Sequence, residues 1–179
     1  SVLMLKIQVP EIECPKNSID LAQKIRIHAV KMVARSNSSH IGSTLSMADI
    51  LAVLYMGILR IDPKNPGWPE RDRFLLSAGH KAMGQYGVLA ERGYFDPALL
   101  QTYGAMMTAL GGHPDMHKLP GVEGNTGALG HGLSISVGAA LGLRLAGTTA
   151  RVFTVMGDGE LPEGSNWEAA AAAAHHKVD

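Results

Sequence analysis

Cysteine is almost absent from this sequence of 179 residues. Cys14 is the only one, so no disulfide can form within the chain, and we expect a protein of a reducing compartment such as the cytoplasm. An excess of charge is missing too, because 16 basic residues balance 16 acidic ones. A neutral chain has no overall field that would draw it to nucleic acid or to an anionic membrane, so neither is an expected partner.

Long apolar segments are missing as well. No run reaches the length of a membrane-spanning helix, and the first residues lack the pattern of a signal peptide, so we expect a soluble, cytoplasmic protein. Aromatic residues make up only 5% of the chain, whereas glycine occurs 21 times. Frequent glycine is typical of chains whose backbone approaches ligands or neighbouring helices closely, and also of chains rich in loops.

The order of apolar and polar residues predicts a single α/β domain after a short arm. Residues 1–17 contain two prolines and are interpreted as an N-terminal arm, and residues 18–179 as the domain. Strands are predicted at residues 73–77 and 151–156, with helical patterns before, between and after them. This alternation predicts a three-layer α/β/α fold with a mostly parallel sheet.

Helix signals surround these strands. A broad apolar face predicts a helix from Ser18 up to a polar loop at residues 36–43, and a capping box of Ser46 and Asp49 predicts the start of a second helix. Three further helices are predicted within residues 78–93, 129–147 and 165–177. Long loops are predicted at residues 62–69 and 104–128. The alanine run in the last helix is interpreted as a buried helix face.

The second predicted strand runs into Gly157-Asp158-Gly159. Glycine and aspartate are common in tight turns, so this triplet can be a turn and nothing more. It can also be a ligand site, because ligands of open parallel sheets lie beyond the carboxyl ends of the strands. A carboxylate there can hold Mg²⁺, while Gly157 permits a sharp exit from the strand and Gly159 leaves room for a diphosphate.

Three histidines, His40, His80 and His113, lie beside glycine in predicted loops. A single histidine is commonly structural, but three in this context favour a shared site. Imidazole can donate or accept a proton, and its charged form can bind phosphate, which suits carbonyl and sugar-phosphate chemistry. The remaining histidines outside glycine loops are interpreted as surface or packing residues: His28, His117, His175 and His176.

Five motifs, in order, resemble the thiamine diphosphate-binding domain of transketolases. They read SSHIGSTLSMADILAVLY, DRFLLSAGHKAMGQY, GGHP, GNTGALGHGLSISVGAALG and VMGDGELPEGSNWEAA. The resemblance extends over residues 18–179. It implies the transfer of a two-carbon ketol unit from a ketose phosphate to an aldose phosphate, with thiamine diphosphate and Mg²⁺, or another divalent cation such as Ca²⁺, as cofactors.

The resemblance also implies roles for individual residues. It implies cofactor contacts for His80, Gly127, Ala128, Leu129, Gly157, Asp158, Gly159 and Glu160. Among them, Asp158 is the implied metal ligand and Gly159 contacts the diphosphate through its backbone. The implied catalytic residues are His40, His80 and His113, with His80 beside the diphosphate and the other two at the bound sugar.

The remaining implied features concern the thiazolium ring and the subunit interface. Residues 127–129 align with the segment near the ring, and Glu163 with an acidic residue near the interface. Two residues depart from the common pattern, because Ala128 and His131 stand where many transketolases have Pro and Gln. The role of His131, the sugar donor and acceptor, and the pathway therefore stay open.

Two parts of the family pattern have no counterpart. The second metal ligand, an asparagine, is expected beyond Asp179, because Asn166 comes too early and is predicted to open the last helix. The domain that binds the aminopyrimidine ring and carries the activating glutamate is also missing. We therefore expect the N-terminal subunit of a split transketolase, incomplete at its C-terminus, that joins a C-terminal subunit in a homo- or hetero-oligomer.

Alternatives remain at this point. One is a related thiamine diphosphate enzyme, either a deoxyxylulose phosphate synthase or a 2-oxo acid dehydrogenase component. The GGHP loop followed by TGALGHG favours the transketolase interpretation over these. Another alternative is an inactive fragment that binds a partner, which the missing second metal ligand keeps open.

Overall fold

The computed structural model describes residues 17–178, so the predicted arm, apart from Asn17, and Cys14 lie outside the described residues. The helices are α1 (Asn17–Ser36), α2 (Ile41–Ser46), α3 (Ala48–Val53), α4 (Ala82–Glu91), α5 (Gly132–Leu145) and α6 (Gly164–His175). A π-helical turn, Leu54–Ile58, extends α3, and 3₁₀ turns occupy Gly79–Lys81, Pro97–Thr102 and Asp158–Glu160. The two strands are β1 (Arg73–Leu76) and β2 (Val152–Val155).

The two strands pair in parallel, with Arg73 opposite Val152, and helices cover both faces of this pair. Side chains alternate across a strand. Phe74 and Leu76 therefore point together into the buried core that α1, α3 and α4 complete. On the other face, the Thr154 hydroxyl donates a hydrogen bond of 2.5 Å to Ser136 of α5. The predicted α/β fold with helices on both sides of a parallel sheet is confirmed.

Asp72 ties the beginnings of the two strands together. Its buried carboxylate accepts hydrogen bonds from the Arg151 backbone N–H at 2.8 Å and from Arg151 Nη2 at 2.6 Å. Arg60 adds a backbone hydrogen bond of 3.0 Å from the preceding loop. Burial alone would raise the pKa of Asp72, but the hydrogen bonds from Arg151 and Arg60 outweigh it and lower that pKa to about 2.

The prediction that Ser46 caps the start of the second helix is wrong. Helix α2 lies at Ile41–Ser46, partly within the predicted polar loop, and Ser46 ends it instead of capping the next helix. The reason is local hydrogen bonding: the hydroxyls of Ser43 and Thr44 donate to the carbonyl of His40, at 3.0 and 3.1 Å. The loop between α1 and α2 is consequently short, and it holds His40 firmly.

The alanine run of α6 also differs from its prediction. Of residues 169–174 only Ala169 is buried. The other face of α6 borders an apolar groove of about 750 Å³ that α5 and β2 also line. By contrast, the prediction of a long loop at residues 104–128 is confirmed, since no helix or strand occurs there. Among residues 17–178, no helix combines the length and apolar character that crossing a bilayer requires.

Candidate active site

A cavity of about 460 Å³ lies where the chain leaves the carboxyl ends of β1 and β2. We call it the site cavity. Its wall is formed by residues of α2, by the turn after β1 with His80 and Lys81, by Leu129, and by residues 157–160 after β2. This is the position at which open parallel sheets bind ligands. The sequence predicted a site at the end of β2, and the structure brings the turn after β1 to the same place.

Glu160 connects the loops that surround the site cavity. Its side chain is almost fully buried, at 1% exposure. One carboxylate oxygen accepts a hydrogen bond from Gly157 N–H at 2.8 Å, and the other accepts from the Ser77 hydroxyl at 2.8 Å and from Gly130 N–H at 3.0 Å. Asn166 Nδ2 in turn donates to the Glu160 carbonyl at 2.6 Å. In this structure Glu160 therefore shapes the site by holding backbone, and its contact with a cofactor stays a prediction.

Asp158 is exposed at the edge of the site cavity. Within residues 17–178 its carboxylate has no hydrogen bond or ion pair, so it is free to bind a ligand. A methyl group on Gly159 would meet nothing within 4 Å, so there is open space beside it, and its contact with a diphosphate stays a prediction. Gly157 differs from its prediction: it has φ −82° and ψ 147°, an extended conformation open to any residue, so a sharp exit does not explain this glycine.

His40 and His80 lie side by side. Their ring centroids are 5.0 Å apart, with the rings tilted by 53°. His40 precedes α2 in the left-handed conformation, at φ 69°, which is uncommon for a residue with a side chain and costs energy. The α2 hydroxyls that bind its carbonyl keep it there. Two predicted catalytic histidines, 40 positions apart in the sequence, thus share one side of the site.

His113 reaches the same region through Gly127. A methyl group on Gly127 would lie 2.5 Å from Cδ2 of the His113 ring, and Gly127 has φ +147°. Only glycine satisfies both requirements. The Tyr86 hydroxyl donates to the His113 carbonyl at 2.9 Å and fixes this part of the loop to α4. The predicted thiazolium segment and a predicted sugar-binding histidine are therefore in direct contact.

Burial and the neighbouring charges together lower the pKa of His80. Burial lowers its pKa from 6.5, and nearby His40, Lys81 and His113 lower it further, while Glu160 acts in the opposite direction. His80 is therefore neutral at pH 7 and can accept a proton at one ring nitrogen or donate one from the other.

The remaining predicted residues lie at the margin of the site. Ala128 and Leu129 are exposed, and Leu129 lines the site cavity. His131 is also exposed, and its Nδ1 lies 3.0 Å from the carbonyl oxygen of Leu129. Glu163 is exposed and lies so close to Gly130 that a methyl group there would be 2.6 Å from its Cβ. Its place at a subunit interface stays a prediction.

Lys81 and Ser77 are site residues that sequence reasoning missed. Lys81 lines the site cavity although it is only 7% exposed, and Ser77 positions Glu160. A signal for Lys81 was available: it is the single charged residue between Gly79 and Ala90, a stretch in which nearly every residue is buried. Ser77 had no such signal, because its partner lies 83 positions away.

A metal centre made only of protein side chains is absent from the described part of the chain. Residues 17–178 contain no group of three or more His, Cys, Asp or Glu side chains that could hold a metal ion. Asp158 is a single oxygen donor, which is the number of carboxylates that Mg²⁺ commonly uses when phosphate oxygens and water complete its coordination. The donor set therefore fits a cation shared with a phosphate ligand.

The matching family model and two curated relatives are named for transketolases. The family model described as "Transketolase, thiamine diphosphate binding domain" matches residues 17–179. One subunit of the apulose-4-phosphate transketolase of Actinobacillus succinogenes is 48% identical over 159 residues, 88% of this chain and 58% of that protein. One subunit of the 6-deoxy-6-sulfo-D-fructose transketolase of Clostridium sp. (strain MSTE9) is 41% identical over 92% of this chain and 61% of that protein.

A solved structure extends the comparison to the fold. Transketolase from Campylobacter jejuni superposes with a TM-score of 0.85 and 35% identity, over 91% of this chain and 27% of that one. The chain thus spans about three fifths of the curated relatives and about a quarter of this transketolase.

Proposed function

This chain belongs to the family of thiamine diphosphate-binding domains of transketolases, and from that membership we propose that it is the N-terminal subunit of a transketolase. It transfers a two-carbon ketol unit from a ketose phosphate to an aldose acceptor, together with a separate C-terminal subunit. One observation carries the proposal: three histidine loops and the Gly157–Gly159 turn converge at the carboxyl ends of two parallel strands.

The residues present fit the cofactor. The free carboxylate of Asp158 would hold a divalent cation such as Mg²⁺, and the open space at Gly159 admits a diphosphate to the backbone. Leu129 and the backbone around Gly127 would contact the ring of thiamine diphosphate. When bound, thiamine diphosphate supplies the electron sink for the carbon–carbon bond that breaks and forms.

The protein's own residues handle protons. Neutral His80 lies deepest of the three histidines and can exchange a proton with a sugar oxygen next to the reacting carbon. His40 and His113 are exposed and can bind the hydroxyl groups of a sugar that enters from solvent. Glu160 joins the turn after β1, which carries His80, to Gly130 and to the turn that carries Asp158, so that His80 and Asp158 are in place before the substrate arrives.

A partner subunit is part of the proposal. The curated relatives are named as subunits, and the chain spans 58% and 61% of their lengths. We place the pyrimidine-binding domain on a C-terminal transketolase subunit, which joins this chain in a larger assembly within the cytoplasm. The substrate is an anionic ketose, since the names of the relatives specify a phosphorylated and a sulfonated sugar.

The test is a reconstituted assay. The complex of the chain with its C-terminal subunit is purified and supplied with Mg²⁺, thiamine diphosphate and pairs of ketose and aldose phosphates. We expect transfer of a glycolaldehyde unit, detected by mass spectrometry of the product sugars, and no transfer when either subunit or the cofactor is omitted. A complex that binds the cofactor but transfers no ketol unit between any tested pair would refute the proposal.

A further inference from the structure

Lys81 is a buried lysine for which the protein offers no partner. It is 7% exposed, at the junction between the Gly79–Lys81 turn and α4. Within residues 17–178 its ammonium group makes no hydrogen bond and no ion pair. The side chain is packed against protein along most of its length and lines the site cavity, and an ammonium group left without a protein partner there indicates an anion that binds beside it.

The ammonium group lies directly beside the turn after β2. A methyl group on Gly157 would be 3.4 Å from Lys81 Nζ and 3.7 Å from its Cε. Lys81 lines the same cavity as His80 and Asp158. The nearest buried carboxylate, that of Glu160, already accepts hydrogen bonds from three protein donors and makes none with Lys81.

We propose that Lys81 binds the diphosphate of the cofactor in the same cavity in which Asp158 would hold the metal ion. This inference rests on the proposed function. The 10-residue helix α4 begins at Ala82, so its positive end adds to the field of Lys81 at the same place. Lysine and a divalent cation together balance the negative charge of a diphosphate.

Burial favours the cofactor over the sugar phosphate as the occupant. A sugar phosphate must enter and leave in each catalytic cycle, and the exposed histidines His40 and His113 are the groups that face solvent. The Lys81 side chain is only 7% exposed, which suits a ligand that stays bound through many cycles. Lys81 is therefore a cofactor-binding residue, with no part in proton transfer.

The experiment measures binding, not turnover. The complex of the full chain with its C-terminal subunit is titrated calorimetrically, in Mg²⁺, with thiamine diphosphate, unphosphorylated thiamine and inorganic pyrophosphate. Lys81→Met removes the charge and keeps the apolar stem, Lys81→Arg keeps the charge, and Lys81→Gln is a second neutral variant should the Met variant fail to fold. The matched control is Lys31→Met, an exposed lysine of α1.

We expect Lys81→Met to weaken thiamine diphosphate and pyrophosphate about 10- to 100-fold, the loss of one charge-assisted contact. Thiamine binding should change less than about twofold, the Arg variant should recover most of the loss, and Lys31→Met should match the wild type. Unchanged diphosphate affinity in a folded Lys81→Met complex would overturn the inference, as would a raised KM for the sugar phosphate alone.

The two proposals fail in different ways. If the wild-type complex does not bind thiamine diphosphate but binds pyrophosphate through Lys81, the transketolase proposal fails and the anion site stands. If the wild-type and Lys81→Met complexes bind thiamine diphosphate equally well, the anion site fails and the transketolase proposal stands. Binding of neither ligand by the wild type refutes both.

Discussion

The hydroxyl of Ser77 donates a 2.8 Å hydrogen bond to the buried carboxylate of Glu160, 83 positions away in the sequence, and so joins the turns that follow the two strands. The same carboxylate binds Gly130 and Gly157 through their N–H groups. The turn after β1, the segment before α5 and the turn after β2 are thus attached to one buried carboxylate. A substitution of Glu160 should displace these three segments together.

Glu160→Gln tests this arrangement. Glutamine offers one acceptor oxygen and one NH₂ group in place of two acceptor oxygens, so at least one of the three donors loses its partner. We expect the free energy of unfolding in urea to fall by about 1–3 kcal/mol, together with weaker binding of thiamine diphosphate. The control is Glu168→Gln on the exposed side of α6. Equal stability of the two variants would show that Glu160 is not the connecting residue.

The strands and the approximate place of the site could be predicted from the sequence, because their signals are local. Residues 73–77 and 151–156 are short apolar runs between polar segments, and Gly157–Gly159 follows the second run directly. The position of α2 could not be predicted in this way. Its start depends on side-chain hydrogen bonds to a histidine in a rare backbone conformation, which propensity does not describe.

Gly127 should tolerate no side chain. In Gly127→Ala the new methyl group would be 2.5 Å from the His113 ring, and φ +147° is unfavourable for alanine. We expect about 1–3 kcal/mol of lost stability and a displaced His113, seen as a lower kcat/KM for ketol transfer. Gly138→Ala on α5 is the control, because a methyl group there meets nothing within 4 Å and alanine favours the helix. Wild-type activity in Gly127→Ala would contradict the contact.

Asp72 should make stability depend on acid pH. Its pKa is about 2 in the folded chain, against a usual value of 3.8, so its stabilising effect is complete above about pH 4 and is lost as the pH falls towards 2. The effect is at most about 2 kcal/mol, since the side chains of Arg60 and Arg151 remain partly in water. The free energy of unfolding in urea, measured between pH 3 and 6, should rise less steeply with pH in Asp72→Asn than in the wild type. Asp20→Asn, at an exposed position, should keep the wild-type slope.

His80 should titrate below its usual pKa of 6.5. Burial comes first among the causes, followed by the charges of His40, Lys81 and His113, with Glu160 opposing them. Nuclear magnetic resonance of the imidazole nitrogens should therefore show a titration midpoint of His80 below pH 6.5. The midpoint should rise in Lys81→Met, which removes a positive neighbour, and stay in place in Lys31→Met. A midpoint above 6.5 in the wild type would contradict the proposed neutral state.

Residues whose function depends on distant segments are the ones that sequence patterns missed. A lysine is commonly exposed, so a single lysine in an otherwise uncharged stretch does not by itself identify a site, and the position of Lys81 beside Gly157 is visible only in the structure. The resemblance implies a cofactor contact for Glu160, which stays a prediction. The structure shows that its oxygens bind protein groups from two other loops, a relationship that no local spacing contains.

Asp158 should control cofactor binding through the metal ion alone. Asp158→Asn keeps the shape of the side chain and removes its charge, and no described protein group loses a partner, so stability should change by less than about 0.5 kcal/mol. Thiamine diphosphate binding in Mg²⁺ should weaken by more than about tenfold, since a hard divalent cation prefers a charged oxygen ligand. The decisive comparison is made with and without chelator: the wild type should lose affinity when Mg²⁺ is removed, whereas the variant should be insensitive to it. Asp62→Asn, in the loop before β1, is the control for a change of net charge. If Asp158→Asn responds to Mg²⁺ like the wild type, Asp158 is a turn residue and not a metal ligand.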